Sequence, residues 1–213
     1  MRSFIKDGQK VLFIGDSVTD CGRSRSEDSN DLGAGYPMFT ASFVKAMHPE
    51  LDVSFVNRGI SGNRTKDLVD RWTRDCIELN PDWVSILIGI NDTWRRYDRN
   101  DPTTFSEFED NYRFILERTK NETDAKIIIM EPFLLPYPES RKVWREDLDP
   151  KIQVARNLAM EYKALFIPLD GLLASAAAKT HPKVWSEDGV HPSKNGHAYI
   201  AMEWMKALGL WSC

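Results

Sequence analysis

The chain has 213 residues, 42% hydrophobic and 28% charged, the profile of one ordinary globular domain or two small ones. With 28 Lys and Arg against 32 Asp and Glu, the net charge is -4, which excludes a broad nucleic-acid-binding face and leaves room only for a local basic patch. The longest strongly apolar runs, such as Trp83 to Ile90, fall far short of the ~20 residues that a membrane crossing needs.

The N-terminal segment Met1 to Gly8 has no apolar stretch of signal-peptide length, and the chain reads as cytoplasmic. Cys21, Cys76 and Cys213 are scattered and odd in number, which fits reduced thiols better than a disulfide framework. The run Val11–Ile14 predicts a first strand ending at Gly15, and Asp52–Val56 a second ending at Asn57. Val84–Ile88 predicts a third strand ending at Gly89. The polar, Asp-rich stretch from Arg95 to Thr104 then reads as a long loop. Phe105, Phe108, Tyr112, Ile115 and Leu116 form one apolar stripe of helical period. Lys126–Met130 predicts a fourth strand, and Pro132 to Pro150, with four prolines, a second long loop. Ala164–Ile167 predicts a fifth strand, and Ala198, Ala201, Met202, Met205 and Leu208 a C-terminal helix ending at Gly209.

Several of the strands are almost wholly apolar, as strands covered on both faces are. Alternating with helices, they predict a single domain over residues 1–213, a three-layer α/β/α sandwich on a five-stranded parallel sheet. In such sheets ligands bind outside the carboxyl ends of the strands, so residues just after each strand are the candidates.

Those residues are Gly15-Asp16-Ser17-Val18, Asn57-Arg58-Gly59-Ile60-Ser61-Gly62-Asn63 and Gly89-Ile90-Asn91-Asp92, with Asp188-Gly189-Val190-His191-Pro192 before the last helix. Taken singly, each block also fits a bland role: Asp16 or Ser17 as a helix cap, Gly59 and Gly62 as turn glycines, Asn91-Asp92 as a loop cap, Asp188 to Pro192 as a capping turn. Taken together they offer the parts of a serine hydrolase. Ser17 supplies a hydroxyl and His191 a base, while Asp188, three residues earlier, can fix the imidazole tautomer. The Ser17 and Gly62 N–H groups and the Asn91 amide can hold an oxyanion. His48, His181 and His197 compete poorly as bases, and Asp188, His191 and His197 make no convincing metal set. The chain lacks G-x-x-x-x-G-K-[ST], a complete G-x-G-x-x-G and G-x-S-x-G, so neither a nucleotide cofactor nor an α/β-hydrolase elbow is indicated.

The four blocks resemble, in order and over nearly the whole chain, those of the SGNH (GDSL-type) hydrolases, with Val18 where Leu often stands. The resemblance implies a flavodoxin-like sheet, no metal or cofactor, Ser17 as nucleophile, His191 as base, Asp188 as its orienter, and Ser17, Gly62 and Asn91 as oxyanion donors. Leu12 to Arg23, and Pro81 to Ile86 followed by Gly89 to Arg95, are similar to the intracellular acetylxylan esterases, which remove O-acetyl groups from xylose units. The junction Trp185-Ser186-Glu187-Asp188 is longer than the compact Trp-Asp junction of that subgroup.

Asp16, Trp94, Tyr97 and Trp185 are the candidate substrate contacts, with Tyr137 and Trp144 as further aromatics in the two long loops. Their flat faces suit sugar rings, and packing on the rim is the competing role. The expected partner is a small-molecule acyl ester, an acetylated sugar foremost. Neither nucleic acid nor membrane is expected, and self-association is left open. A lysophospholipase or acyl-CoA thioesterase of the same family is one alternative, and a non-catalytic flavodoxin-like binding domain the other.

Overall fold

The computed structural model describes residues 4–26 and 30–211, so Cys213 lies outside the described residues. Five strands, β1 (Lys10–Gly15), β2 (Ser54–Asn57), β3 (Trp83–Leu87), β4 (Lys126–Met130) and β5 (Leu165–Ile167), form one sheet in the order β2-β1-β3-β4-β5. Between and after them run α1 (Ser17–Asp20), α2 (Tyr36–Met47), α3 (Thr65–Trp72), α4 (Ile90–Asp98), α5 (Phe105–Glu122), α6 (Arg145–Glu161), α7 (Leu169–Ala177) and α8 (Lys194–Ala207). Every strand pair is parallel, so each connection crosses over and the helices cover both faces. This is the flavodoxin-type strand order, whose reversal point lies between β1 and β3.

Side-chain alternation along the strands sorts the core into two layers. Val11, Phe13, Leu87, Ile128 and Met130 pack with Tyr36, Leu173, Ile200 and Trp204 on one side. Leu12, Ile14, Val84, Ile86 and Ile129 pack with Leu68, Trp72, Tyr112 and Leu158 on the other. Ser85, the polar residue of β3, is buried and accepts the Trp204 indole N–H at 3.1 Å, so its hydroxyl does not stand unpaired in the core. A third cluster, Ile90, Leu134, Trp144, Leu148, Ile152 and Val190, lies among segments that follow the strands and holds them to one another.

Four local expectations need correction. Phe105 is 61% exposed, because Thr104 caps α5 through a reciprocal pair with Glu107, which places Phe105 in the first turn and leaves Phe108, Tyr112, Ile115 and Leu116 as the buried stripe. The buried face of α8 is His197, Ile200, Ala201, Trp204 and Met205, with Ala198 and Met202 on its flanks. Here Trp204 brings the largest apolar area and a partner for its N–H, and it sets the helix rotation. The stretch after Arg95 is helical to Asp98, supported by the Arg95–Asp98 ion pair. Pro150 lies inside α6, whose start at Arg145 is preceded by a 3-10 turn over Glu139–Trp144. Pro150 is exposed, so water can take the hydrogen bond it cannot make, while Leu148, Ile152, Ala155 and Leu158 keep the helix docked.

Candidate active site

β1 runs almost directly into α1, and Asp16 occupies the joint with its Oδ1 accepting the Val18 N–H at 3.0 Å. That cap places Ser17 first in the helix, at the carboxyl end of a central strand. Ser17 Oγ lies 2.9 Å from His191 Nε2. His191 Nδ1 lies 2.7 Å from Asp188 Oδ2, and Asp188 Oδ1 accepts the N–H groups of Val190 and His191 at 3.0 and 2.7 Å. One carboxylate thus orders both the turn and the ring standing on it.

The electrostatics follow from these bonds. Burial alone would raise the Asp188 carboxyl, but hydrogen bonds from the His191 ring, the His191 N–H and the Val190 N–H hold it well below the usual carboxylate range. The Asp188 hydrogen bond raises His191 above its ordinary 6.5, against partial desolvation. An ionised Asp188 accepts the Nδ1 proton, which leaves Nε2 of the neutral ring as an acceptor facing the Ser17 hydroxyl. Ser186 donates its hydroxyl to the His191 carbonyl at 2.8 Å and steadies the turn from below.

The turn also needs Gly189. Its φ is +84°, and a Cβ there would stand 2.2 Å from the Tyr137 carbonyl oxygen. Leu135 N–H donates to the Gly189 carbonyl at 2.9 Å, which ties the segment after β4 to the Asp188–His191 turn.

Gly62 and Asn91 come together through Asn63: Asn91 donates one amide N–H to the Asn63 carbonyl at 3.1 Å. The second N–H of that carboxamide remains for another acceptor. Gly62 has φ +86°, a conformation that favours glycine, and no described acceptor takes its N–H. Behind Asn91, the buried Asp92 accepts the Thr65 N–H and hydroxyl, the latter at 2.7 Å. Burial pushes Asp92 up to about 6 against those bonds, and the contact pins the start of α4 to the start of α3. Nothing in residue order marks Thr65 as a partner.

The candidate substrate contacts separate. Asp16 is 1% exposed and spends its carboxylate on the α1 cap, so it supports the turn that carries Ser17 from inside and is not offered to a substrate. Burial raises it to about 7. Trp94 lies against His191, with ring centroids 5.7 Å apart, on the same rim. Tyr97 is stacked on Trp144 at 5.3 Å and an interplanar angle of 9°, with its hydroxyl donating to the Val143 carbonyl, so packing has claimed that face. Trp185 packs on Tyr199 at 5.2 Å and donates its indole N–H to Thr180, so its ring serves the α8 layer. The two residues between Trp185 and Asp188 give the chain room to make that turn. Arg141, which sequence pattern did not single out, stacks its guanidinium on Trp94 and Trp144 at 4.6 and 3.9 Å and donates to the Asp188 carbonyl at 3.4 Å. His197 is buried and lowered to about 4 by desolvation. Its Nδ1 accepts the Tyr36 N–H, so it packs and caps. Among the described residues no cluster of three or more His, Cys, Asp or Glu side chains suits a metal ion, and no helix is long and apolar enough to cross a membrane.

Comparison with known proteins gives this arrangement a context. The chain is 38% identical over 212 residues to the acetylxylan esterase of Geobacillus stearothermophilus, covering 96% of each. The crystal structure of that enzyme superposes with a TM-score of 0.88 at 37% identity, again over 96% of each chain. A Parabacteroides merdae structure described as a GDSL-like lipase superposes with a TM-score of 0.93 at 34% identity, over 99% of this chain and 100% of that one. Other neighbours are catalytic mutants of the Geobacillus enzyme in which a serine, or one of an aspartate and a histidine three positions apart, is replaced by alanine. The profile of the GDSL-like lipase/acylhydrolase family matches residues 13–199; the chain belongs to that family and is a carboxylic ester hydrolase.

Proposed function

We propose that this chain is a serine esterase that removes acetyl groups from carbohydrate esters, acetylated xylo-oligosaccharides foremost, through an acyl-enzyme on Ser17. One observation carries the reading: the Ser17 hydroxyl meets His191 Nε2 at 2.9 Å while Asp188 holds Nδ1 at 2.7 Å. The Geobacillus relative, named an acetylxylan esterase and described in variants as catalytic mutants at the same three residue types, supports the substrate class and the roles.

Ser17 Oγ attacks the acetyl carbonyl as His191 Nε2 takes its proton, and Asp188 stabilises the imidazolium without becoming protonated. The N–H groups of Ser17 and Gly62 and the second amide N–H of Asn91 receive the developing oxyanion. Collapse expels the sugar oxygen, protonated by His191, and leaves acetyl-Ser17. A water that gives its proton to His191 then attacks that ester, releasing acetate and restoring the hydroxyl. Trp94, beside His191, forms a wall for the departing sugar. The unpaired Cys21 and Cys76 are in keeping with a reducing compartment, the cytoplasm.

Two measurements test this. An organophosphonate should label Ser17 covalently, and an unlabelled protein would return the chain to a binding role. Acetate release from acetylated xylo-oligosaccharides should exceed that from acetylated glucose and fall as p-nitrophenyl esters lengthen. A rise with chain length points to lysophospholipase or thioesterase chemistry instead.

A further inference from the structure

Beside the Ser17 rim, and not used in the chemistry above, four guanidinium groups converge. Arg23, Arg25, Arg58 and Arg74, with Ile60 and Asp75, line an open hollow of about 370 Å³. Arg71 lies behind it, 8% exposed, donating to the Arg58 carbonyl and the Asp75 carboxylate. The carboxylates that contact these five cations, among the described residues, are Asp20, on Arg25, and Asp75, on Arg71 and Arg74. Arg23 and Arg58 contact no described carboxylate. Arg23 donates to the Gly59 and Ser24 carbonyls, and Arg58 to the Asn57 carbonyl, so most of the five N–H donors of each guanidinium remain for a ligand. This concentration of positive charge stands on a chain whose net charge is -4. Burial lowers Arg23 against the attraction of Asp20, and repulsion from Arg58, Arg25 and Arg71 adds to the lowering.

The hollow shares a wall with the reaction rim. Arg25 pairs with Asp20, the last residue of the short helix that Ser17 begins. The same Asp20 oxygen accepts the N–H and hydroxyl of Ser61, next to Gly62, at 2.9 and 2.6 Å. Arg23 meanwhile holds the Gly59 carbonyl at 2.9 Å. Planar guanidinium forks suit carboxylate and phosphate, and the volume suits a sugar-sized ligand.

We propose that this hollow is a subsite for an anionic sugar, taking the carboxylate of a uronic acid on an oligosaccharide whose acetyl ester lies at Ser17. The assignment rests on the carbohydrate-esterase reading for its substrate, but the subsite is testable alone. Calorimetric titration should show glucuronate binding, about tenfold weaker in the Arg58→Gln/Arg74→Gln double variant and weakened by about 0.5 M salt, with no binding of glucose. Inorganic phosphate is titrated alongside, and binding of phosphate without glucuronate overturns the sugar assignment. In kinetics, kcat/KM for an acetylated xylo-oligosaccharide bearing a glucuronosyl branch should exceed that for the neutral one by about tenfold, the effect of one charge-assisted hydrogen bond. The double variant should bring that ratio to about one, and because the ratio is internal, any general loss of activity cancels. Equal wild-type rates, or a preference that survives in the double variant, overturn the proposal. Should neither oligosaccharide be deacetylated while p-nitrophenyl acetate is, the carbohydrate reading fails, and the glucuronate titration still decides the subsite.

Discussion

The described residues carry sizeable hollows at opposite ends of the sheet, and their chemistry differs. The one near the amino ends of β3 and β4, about 480 Å³, is lined by Trp83, Lys120, Lys126, Ile127, Tyr162 and Leu165. Its polar side chains include exposed lysines, a threonine, an aspartate and Tyr162, and Lys126 rests over the Trp83 ring at 4.9 Å. The rim after the strands has less enclosed space beside Ser17 and far more ordered polarity: Ser17, His191, Asp188, Asn91, Asn63, Asp92 and Thr65 are joined in hydrogen-bonded chains. Volume marks where a molecule fits; an oriented, partly desolvated network marks where bonds are made and broken.

The sharpest way to break this contrast is Ser17→Ala, which should lower kcat about 10⁴-fold or more with Tm nearly unchanged, measured on p-nitrophenyl acetate. Residual activity near wild type would end the mechanism. Asp188→Asn keeps a side chain of the same shape but can hold the wrong imidazole tautomer, and kcat should fall about 10³- to 10⁴-fold. Asn91→Ala removes one oxyanion donor and should cost about 10²- to 10³-fold in kcat, with KM for a short ester little altered.

The pH profile sharpens the comparison further. Below the His191 pKa the imidazolium cannot accept the Ser17 proton, so kcat/KM should fall about tenfold per pH unit on the acid side. The Asp188 hydrogen bond raises that pKa, which places the limb above 6.5, and residual activity of Asp188→Asn should show it moved to lower pH. A flat profile from pH 5 to 8 would count against His191 as base. The smallest effect belongs to the opposite end: Lys126→Ala removes an exposed cation–π contact of about 0.5–1 kcal/mol and should change kcat/KM less than about twofold.

Much of this was legible in residue order because its signals are local. Apolar runs such as Val11–Ile14 and Val84–Ile88 mark strands buried on both faces, and the residues that follow them fall at the sheet's carboxyl edge by topology alone. What was misread depended on long-range partners. The rotation of α8 follows Trp204 finding Ser85, which lies 119 positions away. The persistence of α6 past Pro150 follows its docked apolar face, and in the helical turn after Arg95, Tyr97 stacks on Trp144 of the segment that precedes α6. The aromatics divided in the same way: Trp94 beside His191, Tyr97 on Trp144, Trp185 on Tyr199. Their composition is alike, and only their neighbours tell them apart.

From the linear chain alone came the sheet, the edge where the candidate residues gather and the three residues, Ser17, His191 and Asp188, that meet there, since each depends on short-range pattern plus one rule of parallel topology. Tertiary structure decided the partners: Arg141 clasped between two indoles, Thr65 on the Asp92 carboxylate next to Asn91, and four arginines between positions 23 and 74 gathered into one hollow. Side chains far apart in sequence meet only where the backbone closes its loops, and no local propensity encodes that meeting.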